Sequence, residues 1–194
     1  MSISYPLALP THTGMSSISF RTTNAVALSR SPFTFSSQAF AYSGQMWQAD
    51  VSLPSMRRED AEKWVAWLVS LRGQYGTFLL SDPVAPTIRG TTTSATVTGT
   101  AQSNSVTVTM TGTLLAGDMI QIGTGSDSTL HKVLVDQNGN GTLEIWPCLR
   151  KDRTDAALTL SAAKGVFRLA SNESSWSIND SSFYGISFSA TEAL

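Results

Sequence analysis

The sequence predicts a mainly β chain: a β-sandwich or split-barrel domain with one packed α-helix, plus an inserted small β-barrel. Three observations predict it. Apolar residues alternate at period two along most of the chain, a single long segment keeps helical spacing, and the composition changes abruptly near residue 90. A repeating βαβ rhythm is missing, which excludes a doubly wound nucleotide-binding sheet, and no internal repeat of fixed period occurs.

The first third reads as strands or hairpin arms: Ile18 with Phe20, Phe33 with Phe35, and Phe40 with Tyr42, separated by Ser, Pro and Asn. The clearest strand follows, with Trp47, Ala49, Val51 and Leu53 on one face and Gln48, Asp50 and Ser52 on the other. Pro54 and Ser55 stop it. Ser55 is the expected cap of a helix over 57–72, whose early turns carry Glu59 and Asp60 near the positive end of the dipole. Ala61, Trp64, Val65, Leu68 and Leu71 give that helix its apolar face, and Gly73 offers a left-handed C-terminal stop. Trp64 and Trp67 could form a sugar-binding platform, but aromatic residues at helical spacing mark a core face.

After the helix, residues 75–80 read as a short strand broken by Asp82-Pro83 and Pro86. From residue 90 to 131 there is no Lys or Arg, and Thr is dense. Within that stretch Val106, Val108 and Met110 alternate with Thr107, Thr109 and Thr111, and Ile120 with Ile122 continues the pattern, so much of it can pair as sheet, with disorder the alternative for residues 90–100. Val133 and Val135 lead through Asp136-Gln137-Asn138-Gly139-Asn140-Gly141 to Leu143 and Ile145, the residue pattern of a hairpin with left-handed turn positions. Further strands fall at 158–160 and 166–169, and Tyr184, Ile186 and Phe188 alternate in a terminal strand. About a dozen short strands and one helix result. The composition shift near residue 90 marks the start of a second unit, and the strand at 166–169 fits either unit.

With 194 residues the chain suits one domain or two small ones. Hydrophobic residues are 41% and charged residues 14%, with 28 Ser and 23 Thr, a folded but weakly charged mixture. A formal net charge of -1 provides no global attraction to nucleic acid or anionic lipid. Cys148 is the sole cysteine, so no internal disulfide forms, and His12 and His131 lack metal-ligand spacing. Neither a signal peptide nor a membrane span is expected, which points to folding in a cytoplasm.

Candidate chemistry is sparse. There is no G-x-S-x-G elbow; His131 reads as a structural imidazole, His12 as a surface residue and Cys148 as a half-buried thiol. A glycosidase would need two opposed carboxyl groups, and Asp118, Asp127, Asp136 and Glu144 are available, although Asp118 and Asp136 have routine work in turns. Gly123-Thr124-Gly125 lacks the lysine and following helix of a phosphate cradle. Arg150, Lys151 and Arg153, interrupted by Asp152 and followed by Asp155, read as a solvated loop or salt-bridged protein contact rather than a nucleic-acid site. No catalytic, cofactor or metal residue is assigned.

The order of features carries one resemblance. A strand ending in Val51-Ser52-Leu53-Pro54, a helix beginning near Arg57-Arg58-Glu59-Asp60-Ala61, a glycine turn, and Gly76-Thr77-Phe78-Leu79-Leu80-Ser81-Asp82-Pro83 resemble the lambda-type minor tail protein M of siphophages, among the distal tail (Dit-like) proteins. Phe183-Tyr184-Gly185-Ile186-Ser187-Phe188-Ser189-Ala190 is similar to that family's closing strand. The likeness covers residues 15–88 and 170–194, and with the composition shift near residue 90 it implies a division into 1–88 with 170–194 and an insert over 89–169. Unlike the short form, this chain has roughly seventy residues between, where some members carry a β-barrel resembling an oligosaccharide/oligonucleotide-binding barrel.

The resemblance implies a non-enzymatic structural protein of the virion tail. It would form a ring, commonly a hexamer, between the tail tube protein and the hub or central-fibre protein, without cofactor, sequence-specific nucleic acid or membrane insertion. The rival readings are a receptor- or carbohydrate-binding module and an envelope-degrading enzyme at the tail tip.

Overall fold

The computed structural model describes residues 3–11, 14–180 and 182–194, and is mainly β with one long helix. In chain order the elements are β1 (Ser17–Arg30), β2 (Ser37–Ser52), β3 (Met56–Arg57), α1 (Arg58–Ser70), β4 (Thr77–Leu80), β5 (Ala95–Gly99), β6 (Ser105–Met110), β7 (Thr113–Leu114) and β8 (Met119–Ile122). Then follow β9 (Thr129–Val133), β10 (Gln137–Asn138), β11 (Gly141–Trp146), β12 (Arg153–Thr159), β13 (Gly165–Leu169), β14 (Trp176–Ile178) and β15 (Phe183–Glu192).

One sheet runs β1-β2-β15-β13-β4, with β3 and β14 paired to the first half of β15. Its buried face follows from the alternation read in the sequence: Trp47, Ala49 and Val51 lie inward beside Phe188 and Ala190, with the registers Val51↔Phe188 and Ala49↔Ala190. Phe167 stands between Phe78 and Glu192 on the next strands. Helix α1 lays Ala61, Trp64, Trp67 and Leu68 on this core, with Leu71 just past its end, and Trp67 meets Phe78 and Phe188 at ring distances of 5.0 and 5.6 Å. The outer edge of β4 is not left open. Leu7 bridges Phe78 in parallel, and Tyr5 Oη donates to the Ser70 carbonyl, so the chain start covers a strand edge that would otherwise invite pairing.

The helix is shorter than the expected 57–72, and Ser55 is not its cap. Arg57 holds the cap position without a side-chain bond, because Met56 and Arg57 are drawn into β3 against Phe183 and Tyr184. At the far end Leu71 holds the cap and Arg72, at φ +54, is the first left-handed residue, so the helix stops before the expected Gly73; Gly73 is left-handed as well, at φ +67, and a Cβ there would lie 2.8 Å from Asn172 Oδ1.

Between β4 and β13 the chain closes a barrel in the order β11-β6-β5-β12-β8-β9. Val106, Val108 and Met110 of β6 point inward while Ser105, Thr107 and Thr109 face out, and Val97, Ile120, Ile122, Leu143 and Ile145 complete the filling. Residues 90–94 lead directly into β5. The expected hairpin between Val133 and Leu143 is present in broader form: β9 and β11 pair through Val133↔Ile145, Gly139 has φ +66, and the intervening β10 turns aside to pair with β7. β13, which lies inside the expected 89–169 insert, is a strand of the sheet, flanked by β4 and β15.

Two expectations in the first third change. Phe33 and Phe35 do not form a strand; they occupy the turn between β1 and β2, with Phe35 at φ +58. The flanking strands are far longer than the sequence indicated, 14 and 16 residues.

Candidate functional site

The most unusual surface is the β1–β2 hairpin beyond the sheet. Of the 24 residues from 21 to 44, all but Ser31 are exposed. Directly opposed residues share a face, so Val26↔Ala41 and Leu28↔Ala39 give one aliphatic side, while Ala27↔Phe40 with Tyr42 gives an aromatic side, where the Phe40 and Tyr42 rings lie 4.8 Å apart. Both sides are uncovered. β15 pairs with β2 only over 48–52, so the distal part of the arm has no third strand on either edge.

The arm is nevertheless fixed at its root. The ladder shifts register between Asn24 and Val26, a bulge that re-aims the strands, and the barrel grips this point. Trp146 Nε1 donates to Asn24 Oδ1 at 2.7 Å, Cys148 N donates to Gln45 Oε1 at 2.6 Å, and Asn104 Nδ2 donates to the same Gln45 oxygen at 3.0 Å. Arg150 binds Glu192 through two bonds of 3.1 and 2.6 Å and also donates to the Gln45 carbonyl, while the Trp47 amide donates to Glu192. Asn24, Gln45, Asn104 and Glu192 had no sequence signal: they are ordinary polar residues whose partners lie far away in the chain.

The residues considered for chemistry are taken up by structure. His131 is fully buried where the barrel meets the sheet; its Nδ1 donates to the Pro147 carbonyl at 2.8 Å and its Nε2 is 2.9 Å from Thr129 Oγ1. Cys148 is buried rather than half-buried, with Sγ donating to the Ser43 carbonyl. Asp118 accepts from the amides of Arg89, Gly90 and Leu115, and Asp136 from that of Ala116. Glu144 lies on β11 opposite Ser105. The basic cluster is tied internally, Lys151 and Arg153 to Asp127 at 2.7 and 2.6 Å and Arg150 to Glu192. Trp64 and Trp67 are 1% and 7% exposed, so neither ring is available to a sugar. His12 lies outside the described residues. Among the described residues no three His, Cys, Asp or Glu side chains group as metal ligands, and no helix is long and apolar enough to cross a membrane.

No family model and no curated protein matches the chain.

Burial lowers the His131 pKa to about 4, with Arg150 and Arg153 adding to the effect against the Pro147 carbonyl. The unfolded chain would take up this proton near the ordinary value of 6.5. Stability is thus undiminished above 6.5 and falls as pH drops toward 4, by up to about 1.4 kcal/mol per pH unit and about 3 kcal/mol in all. Two carboxylates act lower on the scale. Burial alone would raise the Asp118 carboxyl, but the amides of Arg89, Leu115 and Gly90 hold it below the usual range; hydrogen bonds from Arg153 and Lys151 do so for Asp127. Urea denaturation of His131→Gln between pH 4 and 6.5 should give a flatter stability profile than the parent; an unchanged slope would remove His131 as the cause.

Proposed function

We propose that this chain is a structural virion protein of a long non-contractile phage tail, forming a ring at the distal end that joins the tail tube to the hub or central fibre. The uncovered hairpin arm carries this reading. Two antiparallel strands alone are marginal in water, and an arm with aliphatic side chains on one face and aromatic ones on the other is built to be covered. Its 24 residues match the roughly 20–30 that each partner contributes to a standard interface.

An arm projecting from one side of the body suits head-to-tail contacts, in which each copy offers one surface and receives with another, so that rotation closes a ring. The phrases that carry the resemblance support the same reading: they fall on β2, α1, β4 and β15, which together form one sheet and the helix packed on it. A near-neutral ring would let DNA pass without trapping its phosphates. The resemblance implies six copies, assembled in the host cytoplasm and carried in the virion tail.

Replacing residues 26–41 by a short Asn/Gly turn tests this. The shortened protein should stay folded, with a melting temperature within a few degrees of the parent, and should sediment as a monomer while the parent forms a closed oligomer with tube and hub proteins present. A ring that forms without the arm, or a parent that stays monomeric in that mixture, would overturn the reading.

A further inference from the structure

A notch of about 250 Å³ lies beside the root of the arm, lined by Thr22, Asn24, Trp47, Lys132, Leu134 and Trp146. Half-buried Trp146 forms its wall, and the Trp47 ring, itself only 3% exposed, backs it edge to face, 4.5 Å away at 89°. Both indole N–H groups are already spent, Trp146 on Asn24 and Trp47 on the Leu130 carbonyl at 2.9 Å, so the wall presents carbon rather than hydrogen-bond donors. The notch is also smaller than the roughly 300–1,000 Å³ of ordinary small-molecule sites. At its rim Leu134 is 48% exposed. Lys132 also lines the notch, and it stands opposite Trp146 in the β9–β11 pairing. A single aromatic side chain fits this chemistry better than a glycan, which needs free donors and acceptors.

The arm tip presents such a side chain. Phe33 is 92% exposed on a turn closed by Ser31 N to the Ser36 carbonyl at 2.9 Å and Phe35 N to the Ser31 carbonyl at 3.0 Å. Ser31 Oγ accepts from the amides of Phe33 and Thr34. The Arg30 guanidinium covers the Phe35 ring at 4.9 Å, which leaves Phe33 as the ring that projects. A turn fixed in this way loses little freedom on binding.

We propose that Phe33 of one copy seats in the Trp47–Trp146 notch of the neighbouring copy. The proposal rests on the ring reading, which supplies a second copy as the occupant. The notch of the same chain is out of reach, because Asn24 and the tip stand at opposite ends of paired strand, roughly 20 Å apart. The residue count agrees, since the 24 residues of the arm fall within the roughly 20–30 that one partner supplies to a standard interface. Tip and notch are different surfaces, so the contact repeats from copy to copy, each tip bracing the base of the next arm.

A mixture of Phe33→Cys and Leu134→Cys proteins, mildly oxidised with tube and hub proteins present, tests the seat. Both substitutions fall on exposed side chains, and the native Cys148 is buried. A mixed disulfide dimer is expected, and the double variant should give a ladder of linked copies. Phe33→Ala should weaken association at least about tenfold and Phe33→Trp should restore it. A parent that assembles without the mixed disulfide, or a Phe33→Ala protein that associates as tightly as the parent, overturns the seat and leaves the ring intact. A monomeric parent overturns the ring reading and the seat with it.

Discussion

Replacing Glu192 with alanine should destabilise the protein by about 3–5 kcal/mol, the cost of leaving a buried guanidinium without its counter-charge. The Arg150 and Glu192 side chains are only 14% and 5% exposed, and the carboxylate also accepts the Trp47 amide, which would lose its partner. The loss would fall on the junction of barrel, terminal strand and arm root, since Arg150 belongs to the loop after β11, Glu192 ends β15, and the same guanidinium donates to the Gln45 carbonyl. Guanidinium chloride denaturation of Glu192→Ala, Arg150→Met and the double variant Arg150→Met/Glu192→Leu measures this. The double variant should lose much less than the sum of the single changes, because it removes both charges together. Additive losses would mean that the two groups act independently and that the seam is held by other contacts.

How much of this was legible in the sequence depended on whether a residue's neighbours in space were also its neighbours in the chain. The alternation of Val106, Val108 and Met110 reports a half-buried strand whatever it pairs with, and β6 is found there. The same holds for Trp47, Ala49 and Val51 on β2 and for Trp64 and Leu68 on the helix. The arm was legible only in part: Phe40 and Tyr42 read as a strand and lie on β2, but neither face of residues 21–44 is buried within the chain, so no sustained alternation marked its length. Phe33 and Phe35 mimicked a strand for that reason, when Ser31 and Pro32 had already turned the chain. Ser55 failed as a cap because the pairing of β3 with β15, set by residues about 130 positions later, decided where the helix could start. The candidate assembly surface was legible only as exposed aromatics among serines, and its clamp through Asn24, Gln45, Asn104 and Glu192 had no local signature at all.

Replacing Trp64 with alanine should cost about 3–5 kcal/mol, through lost burial and the cavity left behind. Trp64 is 1% exposed at the centre of the sheet-facing side of α1, with the Trp67 ring 5.6 Å and the Phe188 ring 6.4 Å from its own. Phe188 is on the terminal strand, and Trp67 also donates to the Ala8 carbonyl that holds the chain start over the helix. The cavity therefore opens where helix, closing strand and N-terminal segment meet, three parts that cannot collapse together without breaking one of these contacts. Trp64→Phe, which keeps most of the apolar volume, should lose clearly less. The barrel, with a separate core built on Ile120, Leu143 and Ile145, should keep its own amide protection in hydrogen exchange at denaturant concentrations where the sheet of Trp64→Ala has begun to open. Simultaneous loss of protection in both would show that the sheet and the barrel unfold as one cooperative unit, and an unchanged melting temperature would show that the helix does not brace the sheet.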